Sequence, residues 1–244
     1  MSGKEQFART ALLLGDEGME RLARARVAVF GLGGVGGYAA EALARAGVGA
    51  LDLCDNDTVS ESNRNRQILA LCSTVGKKKI EVAAARLKDI NPELKLTTYD
   101  TFILPETADA IDFSAFDYVV DAIDTVAGKM ELIRRARRAG VPIISACGTG
   151  NKLDPTKLRV EKLEKTTGCP LARVLRGICR KEGIRGVRVV YSTEIPAKTT
   201  LPPEHGRHAP GSTPFVPGAA GLILASVVVR EIAGLAPPAA GLIG

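Results

Sequence analysis

Apolar and polar positions follow two rhythms along the chain. Short runs rich in Val, Leu, Ile and Phe predict strands at 26–30, 50–54, 95–99, 118–121 and 142–145. Between them, apolar residues spaced three and four apart predict helices near 34–46, 76–90 and 125–139. Strand–helix alternation as far as Ser145 implies an α/β protein with a doubly wound, mostly parallel sheet. After Gly148 the rhythm changes. Segments 157–163 and 187–192 read as strands flanking a helix from Pro170 to about Lys181, and antiparallel continuation of the sheet is expected. Pro, Gly, Thr and His dominate 196–214, which reads as a mobile loop. Pro217 suits the first turn of a last helix.

Composition narrows the class. A chain of 244 residues can bury a substantial core, and one domain over 1–244 is expected, with a nucleotide-binding half at 1–150 and a substrate-binding half at 151–244. Aromatic residues are scarce and tryptophan is absent, so the core must be mostly Ala, Leu, Val and Ile. Segment 1–26 lacks the apolar core of a signal peptide, and a cytoplasmic location follows as an expectation. The most apolar run, 214–229, contains Pro217, Gly218 and Gly221 and stops at Arg230; it reads as a buried helix, with no membrane partner. Five cysteines, at 54, 72, 147, 169 and 179, form no CxxC pair, which argues against structural zinc and against a disulfide framework. Cys54 and Cys147 read as small buried hydrophobes, while Cys169 and Cys179 stay open as thiol nucleophiles. Charge is uneven. Between Asn151 and His208, thirteen lysines and arginines face six acids, so this segment carries the whole net charge of +6. A phosphate backbone is one partner that would select such a surface, and Arg173, Arg176 and Arg180 on the predicted helix are its candidate contacts.

The chemistry gathers in the first half. In VAVFGLGGVGG, the glycines Gly31, Gly33, Gly34 and Gly36 lie between a strand and a helix, where backbone can approach phosphate and a helix N-terminus offers free N–H groups. Asp55 ends the next strand, the place where an acid commonly takes ribose hydroxyls. A dinucleotide dehydrogenase needs little more. This chain adds Asn63, Arg66 and Lys79, spaced to reach a triphosphate, which shifts the reading from hydride transfer to adenylation. Asp121 and Asp124 stand three apart at a strand's C-terminal end, where open sheets bind ligands. Each residue also has a plain reading: Arg66 as a surface ion pair, Lys79 as one of three adjacent lysines, Asp124 as a helix cap.

The set GLGGVGG, DNDTVSESNRNRQ, VGKKKIEVAAARLKDINPE and YVVDAIDT resembles the ubiquitin-activating-enzyme-like adenylating superfamily, with its Rossmann-like fold. Beyond them, ISACGTGNKLDPTKLRV, CPLARVLR, VVYSTEIP and FVPGAAGLILA look like the superfamily's tRNA threonylcarbamoyladenosine dehydratase branch. The resemblance implies that Asp55 binds ribose, that Asn63, Arg66 and Lys79 hold the ATP phosphates with Gln67 nearby, and that Asp124 positions magnesium. It places Arg9 in the ATP site of a neighbouring subunit, and so implies a homodimer. In that branch the threonine carboxylate of the modified adenosine is adenylated and its own ureido group closes a ring as AMP leaves. No catalytic cysteine is needed for such a reaction. A zinc-less activator of a ubiquitin-like sulfur carrier is the alternative, and a nicotinamide-dependent oxidoreductase or a nucleotide sensor is a third. The residues leave open whether a monovalent cation or a sulfur-transfer protein takes part.

Overall fold

A computed structural model describes residues 3–198 and 210–235. Two helices at the N-terminus, α1 (Gly3–Gln6) and α2 (Ala8–Arg24), precede the sheet. Neither was signalled by the apolar pattern: α2 intersperses six charged residues among its seventeen and breaks at Gly15, whose φ is +70°. The sheet is then built by β1 (Arg26–Phe30), β2 (Ala50–Cys54), β3 (Lys95–Tyr99), β4 (Tyr118–Asp121) and β5 (Ile143–Ala146). They alternate with α3 (Gly36–Ala46), α4 (Lys79–Ile90) and α5 (Val126–Ala139). The later elements are β6 (Leu158–Lys162), α6 (Pro170–Lys181), β7 (Arg188–Ser192) and α7 (Phe215–Ile232).

Strand order is β3-β2-β1-β4-β5-β7-β6. The chain leaves β1 in one direction to add β2 and β3, then returns to add β4 and β5, so the connections diverge between β1 and β4. A crevice opens at such a point, beyond the carboxyl ends of the strands. Continuation of the sheet has two parts. β7 joins β5 in parallel, and β6 pairs with β7 antiparallel on the outer edge.

Helix starts fall later than the periodicity predicts. α4 begins at Lys79 rather than at Gly76, whose φ of +87° belongs to a turn. α3 begins at Gly36 because residues 31–35 form the loop that the glycines permit. There, Gly36 lies so close beneath Gly31 that an added Cβ would sit 1.7 Å from the Gly31 carbonyl oxygen. Gly36→Ala must therefore push the loop apart. We expect destabilisation of about 1–3 kcal/mol or more, measured by denaturant melts; an unchanged melt would show that the loop yields freely.

α7 is long and apolar enough to span a membrane by composition, and half of it is buried within this fold. Its Val216, Ala220, Leu224, Ala225 and Val228 join the main core beside α3 residues Ala39, Ala40, Leu43 and Ala44. Gly221 allows this approach, since a Cβ there would lie 2.3 Å from the Val35 carbonyl oxygen. The apolar composition of α7 is thus explained by helix–helix packing. Of the loop expected at 196–214, residues 199–209 lie outside the described residues; its flanks are pinned on Asn151. The Asn151 backbone accepts from Ala197 N–H and donates to the Gly211 carbonyl, and its Oδ1 accepts from Gly211 N–H.

Candidate active site

The crevice between β1 and β4 opens into a cavity of about 840 Å³. Gly31, Gly33 and Gly34 line it, while Gly36 lies beneath the loop and supports it. A Cβ on Gly31 would meet the Ala122 carbonyl at 2.8 Å, so this glycine is required by packing against the β4 end. Gly33 has no such neighbour, its closest being Gln67 Nε2 at 3.9 Å; the open space there faces the cavity.

Asp55 follows β2 and holds two loops together. Its Oδ2 accepts the Leu32 N–H at 2.6 Å and its Oδ1 accepts the Asp57 N–H at 2.8 Å. The loop after it turns into a short 3-10 segment, Glu61–Asn63, closed by a reciprocal cap between Ser60 and Asn63. That cap uses Asn63 Oδ1 as acceptor, leaving its amide N–H groups uncommitted. Arg66 donates to the Ser62 carbonyl and to Asn65 Oδ1, both at 3.0 Å, and has no carboxylate partner among the described residues. The surface ion pair is therefore not what holds it. Gln67 is buried, and its Oε1 has no partner among the described residues. Such an orphan is costly unless a ligand completes it.

Lys79 opens α4 with only 4% of its surface exposed, and its Nζ reaches Asp57 Oδ2 at 2.6 Å. Its neighbour Lys78 instead reaches out to Asp100. The two adjacent lysines are thus separated in role by burial. Asp57 went unnoticed in the sequence beside Asp55, although the spacing DND marks both.

The two acids after β4 also part. Asp121 is fully buried and accepts from Lys129 Nζ at 3.0 and 3.1 Å, from Ser145 Oγ at 2.5 Å and from Ile123 N–H at 3.2 Å. It fixes the turn, and Asp124 stands exposed at the end of that turn on the cavity wall. Asp124 is not the helix cap, since Thr125 precedes α5. No group of three or more Cys, His, Asp or Glu side chains that could enclose a metal occurs among the described residues. A lone exposed carboxylate in a cavity also lined by Arg66 and Lys79 could hold magnesium, which commonly takes one or two carboxylates and completes its shell with phosphates and water.

Arg9, by contrast, is exposed on α2 and does not line its own chain's cavity. Leu12 and Leu13 beside it are 86% and 82% exposed. On α6, Arg173 and Arg180 are exposed, but Arg176 is not free: it donates to Thr166 O and Oγ1, both at 2.7 Å. On α5, Arg134 is tied to Glu182, and Arg135 to Glu131 and Asp109. The cysteines are mostly quiet. Burial pushes the Cys54 and Cys147 thiols up to about 12 and raises Cys179, while Cys169 lines the cavity at the start of α6.

The model of the ThiF family matches residues 7–241. The chain belongs to the ThiF family. Among ThiF-family relatives, the tRNA threonylcarbamoyladenosine dehydratase of Bacillus subtilis is 42% identical over 239 residues, covering 93% of this chain and 94% of that protein. Its namesake in Escherichia coli is 42% identical over 199 residues, covering 78% of this chain and 74% of its own length. The crystal structure of the E. coli enzyme in complex with ATP superposes with a TM-score of 0.85 at 36% identity, over 95% of both chains. Its complex with AMP gives 0.86 at 37%, again over 95% of both. Sheet order and the glycine-loop crevice are therefore features of a ThiF-family fold that accommodates a nucleotide in a relative.

Proposed function

We propose that this protein is an ATP-dependent tRNA threonylcarbamoyladenosine dehydratase, which cyclises the modified nucleoside through adenylation of its carboxylate. The observation that carries the reading is one cavity at the β1–β4 crevice lined by Asn63, Arg66, Lys79, Asp124 and the partnerless Gln67 Oε1. Full-length similarity to dehydratases, with ATP and AMP bound in one of them, supports it.

The chemistry follows from the residues. A carboxylate oxygen of the substrate attacks the α-phosphorus of ATP, and pyrophosphate leaves. Negative charge builds on the phosphate oxygens, where Arg66 offers a planar fork of donors and Lys79 a compact point charge. Asp57 already holds the Lys79 ammonium in place. Gly31, Gly33 and Gly34 bring backbone close to the phosphates, and Asp55, fixed by Leu32 and Asp57 N–H groups, keeps lone pairs for the ribose hydroxyls. Asn63 and Gln67 add neutral contacts. Magnesium, bound through Asp124, would neutralise phosphate charge. In the second step a ureido atom of the same substrate attacks the acyl carbon, the acyl–oxygen bond breaks, and AMP leaves with one former carboxylate oxygen. Because that nucleophile is already attached, ring closure has little entropic cost and requires no thiol.

A cytoplasmic homodimer is part of this proposal. Arg9 would enter the partner's site, with Leu12 and Leu13 covered between subunits. The tRNA would lie on the basic face built by the described part of the second half, touching Arg173 and Arg180, while Arg176 holds the loop at Thr166. Neutralising Arg173 and Arg180 together is expected to weaken tRNA binding and to lower the slope of log K against log salt by about two. Filter binding across a salt series reads this directly, and an unchanged slope would place the tRNA elsewhere. The function itself is tested by mass spectrometry of tRNA nucleosides after incubation with protein and ATP. Loss of one water from the modified adenosine is expected; an unaltered nucleoside would reject the assignment.

A further inference from the structure

Lysine is rarely buried unless a carboxylate accompanies it, because a desolvated ammonium is costly without an anion. Among the described residues Lys79, Lys129 and Lys152 are buried, at 4%, 0% and 2% exposure. The first two have their acids, Asp57 and Asp121. Lys152 has none within ion-pair distance among the described residues. Its Nζ donates instead to two backbone carbonyls, Gly148 at 3.0 Å and Ser192 at 3.3 Å. An ammonium carries three donors, so one is left over.

Lys152 lines the same cavity as Arg66 and Lys79, within the wall built by the end of β5 and the start of α6. Three titratable groups act on its charge: Cys147 after β5, Cys169 before α6 and Glu194 after β7. Glu194 is committed to the backbone N–H groups of Leu153 and Asp154. Burial holds the Lys152 ammonium below the usual lysine range. This wall therefore carries a fixed cation that lacks an anion. The nucleotide phosphates already have Arg66, Lys79 and the glycine loop, and the other anion in the reaction is the organic carboxylate.

We infer that Lys152 is the receptor for the substrate carboxylate, its third N–H holding that group ready to attack the α-phosphorus. The inference rests on the dehydratase reading above. Before reaction the incoming carboxylate completes an ion pair that the fold leaves half made. Once its oxygen is bonded to phosphorus and pyrophosphate has gone, the acyl carbonyl is neutral and the ion pair ends. Lys152 thus favours the bound substrate over the later states, and its loss falls on KM more than on kcat.

The test compares tRNA carrying threonylcarbamoyladenosine with the same tRNA lacking the modification, for wild type, Lys152→Met and Lys152→Gln. Binding is measured with a non-hydrolysable ATP analogue present, and KM and kcat with ATP. Wild type should prefer the modified tRNA. Lys152→Met should lose that preference, on the order of 30-fold, with ATP affinity retained and the melting temperature lowered only modestly, since the Gly148 and Ser192 carbonyls lose one donor while a buried charge is removed. Lys152→Gln, whose amide still donates, should recover part of it. The wild-type KM should also climb with alkalinity at a pH below the ordinary lysine range, as the ammonium deprotonates. That limb should persist in Cys169→Ala and vanish in Lys152→Gln. Full preference in both Lys152 variants, loss of ATP affinity in step with it, or a limb that follows Cys169 would overturn the inference. A wild type that forms no cyclised nucleoside removes the dehydratase reading and this inference together, whereas cyclisation with unaltered Lys152 variants removes this inference alone.

Discussion

Asp124→Ala is expected to abolish tRNA-stimulated ATP–pyrophosphate exchange while leaving the fold intact. The side chain is exposed and has no hydrogen-bond partner among the described residues, so stability should change by no more than about 0.5 kcal/mol. Its place is nonetheless fixed. Asp121, buried and locked by Lys129, Ser145 and the Ile123 N–H, sets the turn that presents Asp124 to the cavity. Loss of one preorganised stabilising group at a developing charge commonly lowers kcat on the order of 10²–10³-fold. Arg66→Ala should behave alike, since among the described residues its guanidinium forms no ion pair and only two local hydrogen bonds would be lost. Exchange at the wild-type rate in both variants, with normal melts, would show that the phosphate side of the cavity is misplaced.

The largest stability effect should come from Lys129→Met. Lys129 and Asp121 are both fully buried, and removing the cation strands a carboxylate in the interior. Breaking a buried pair in this way costs about 3–5 kcal/mol, a large share of the roughly 5–15 kcal/mol that holds a typical domain together. Replacing both partners, as Lys129→Met with Asp121→Leu, should recover part of the loss because no unpaired charge is left. Ser145 and the Ile123 N–H would still lack their acceptor, so recovery should be incomplete. Denaturant unfolding of the single and double variants checks both statements. A single variant as stable as wild type would mean that Asp121 is neutral or hydrated in the fold.

The strands of the first half were legible because each is a short apolar run between helical stretches, and all five fall within one residue of the expected bounds. Local pattern says less about pairing. Nothing in the runs at 157–163 and 187–192 reveals that β7 enters beside β5 and leaves β6 at the edge, since that depends on contacts between distant segments. The same limit applies to side chains. Asp121 and Asp124 look equivalent in VVDAIDT, yet one is enclosed by Lys129 and the other faces the cavity. Arg176 is indistinguishable by spacing from Arg173 and Arg180, and only the fold brings Thr166 beneath it. Lys152 was one cation among thirteen in a basic stretch. Its buried ammonium is held by the carbonyls of Gly148, four residues away, and Ser192, forty residues away, and no local pattern around Lys152 signals either contact.

The most direct measurement follows an oxygen atom. Threonylcarbamoyladenosine labelled with ¹⁸O in its carboxylate, carried on tRNA, is incubated with the protein and ATP, and the AMP is analysed by mass spectrometry. Attack of that carboxylate on the α-phosphorus, followed by cleavage of the acyl–oxygen bond, delivers one labelled oxygen into each AMP. Unlabelled AMP formed alongside cyclised nucleoside would contradict carboxylate adenylation in this cavity.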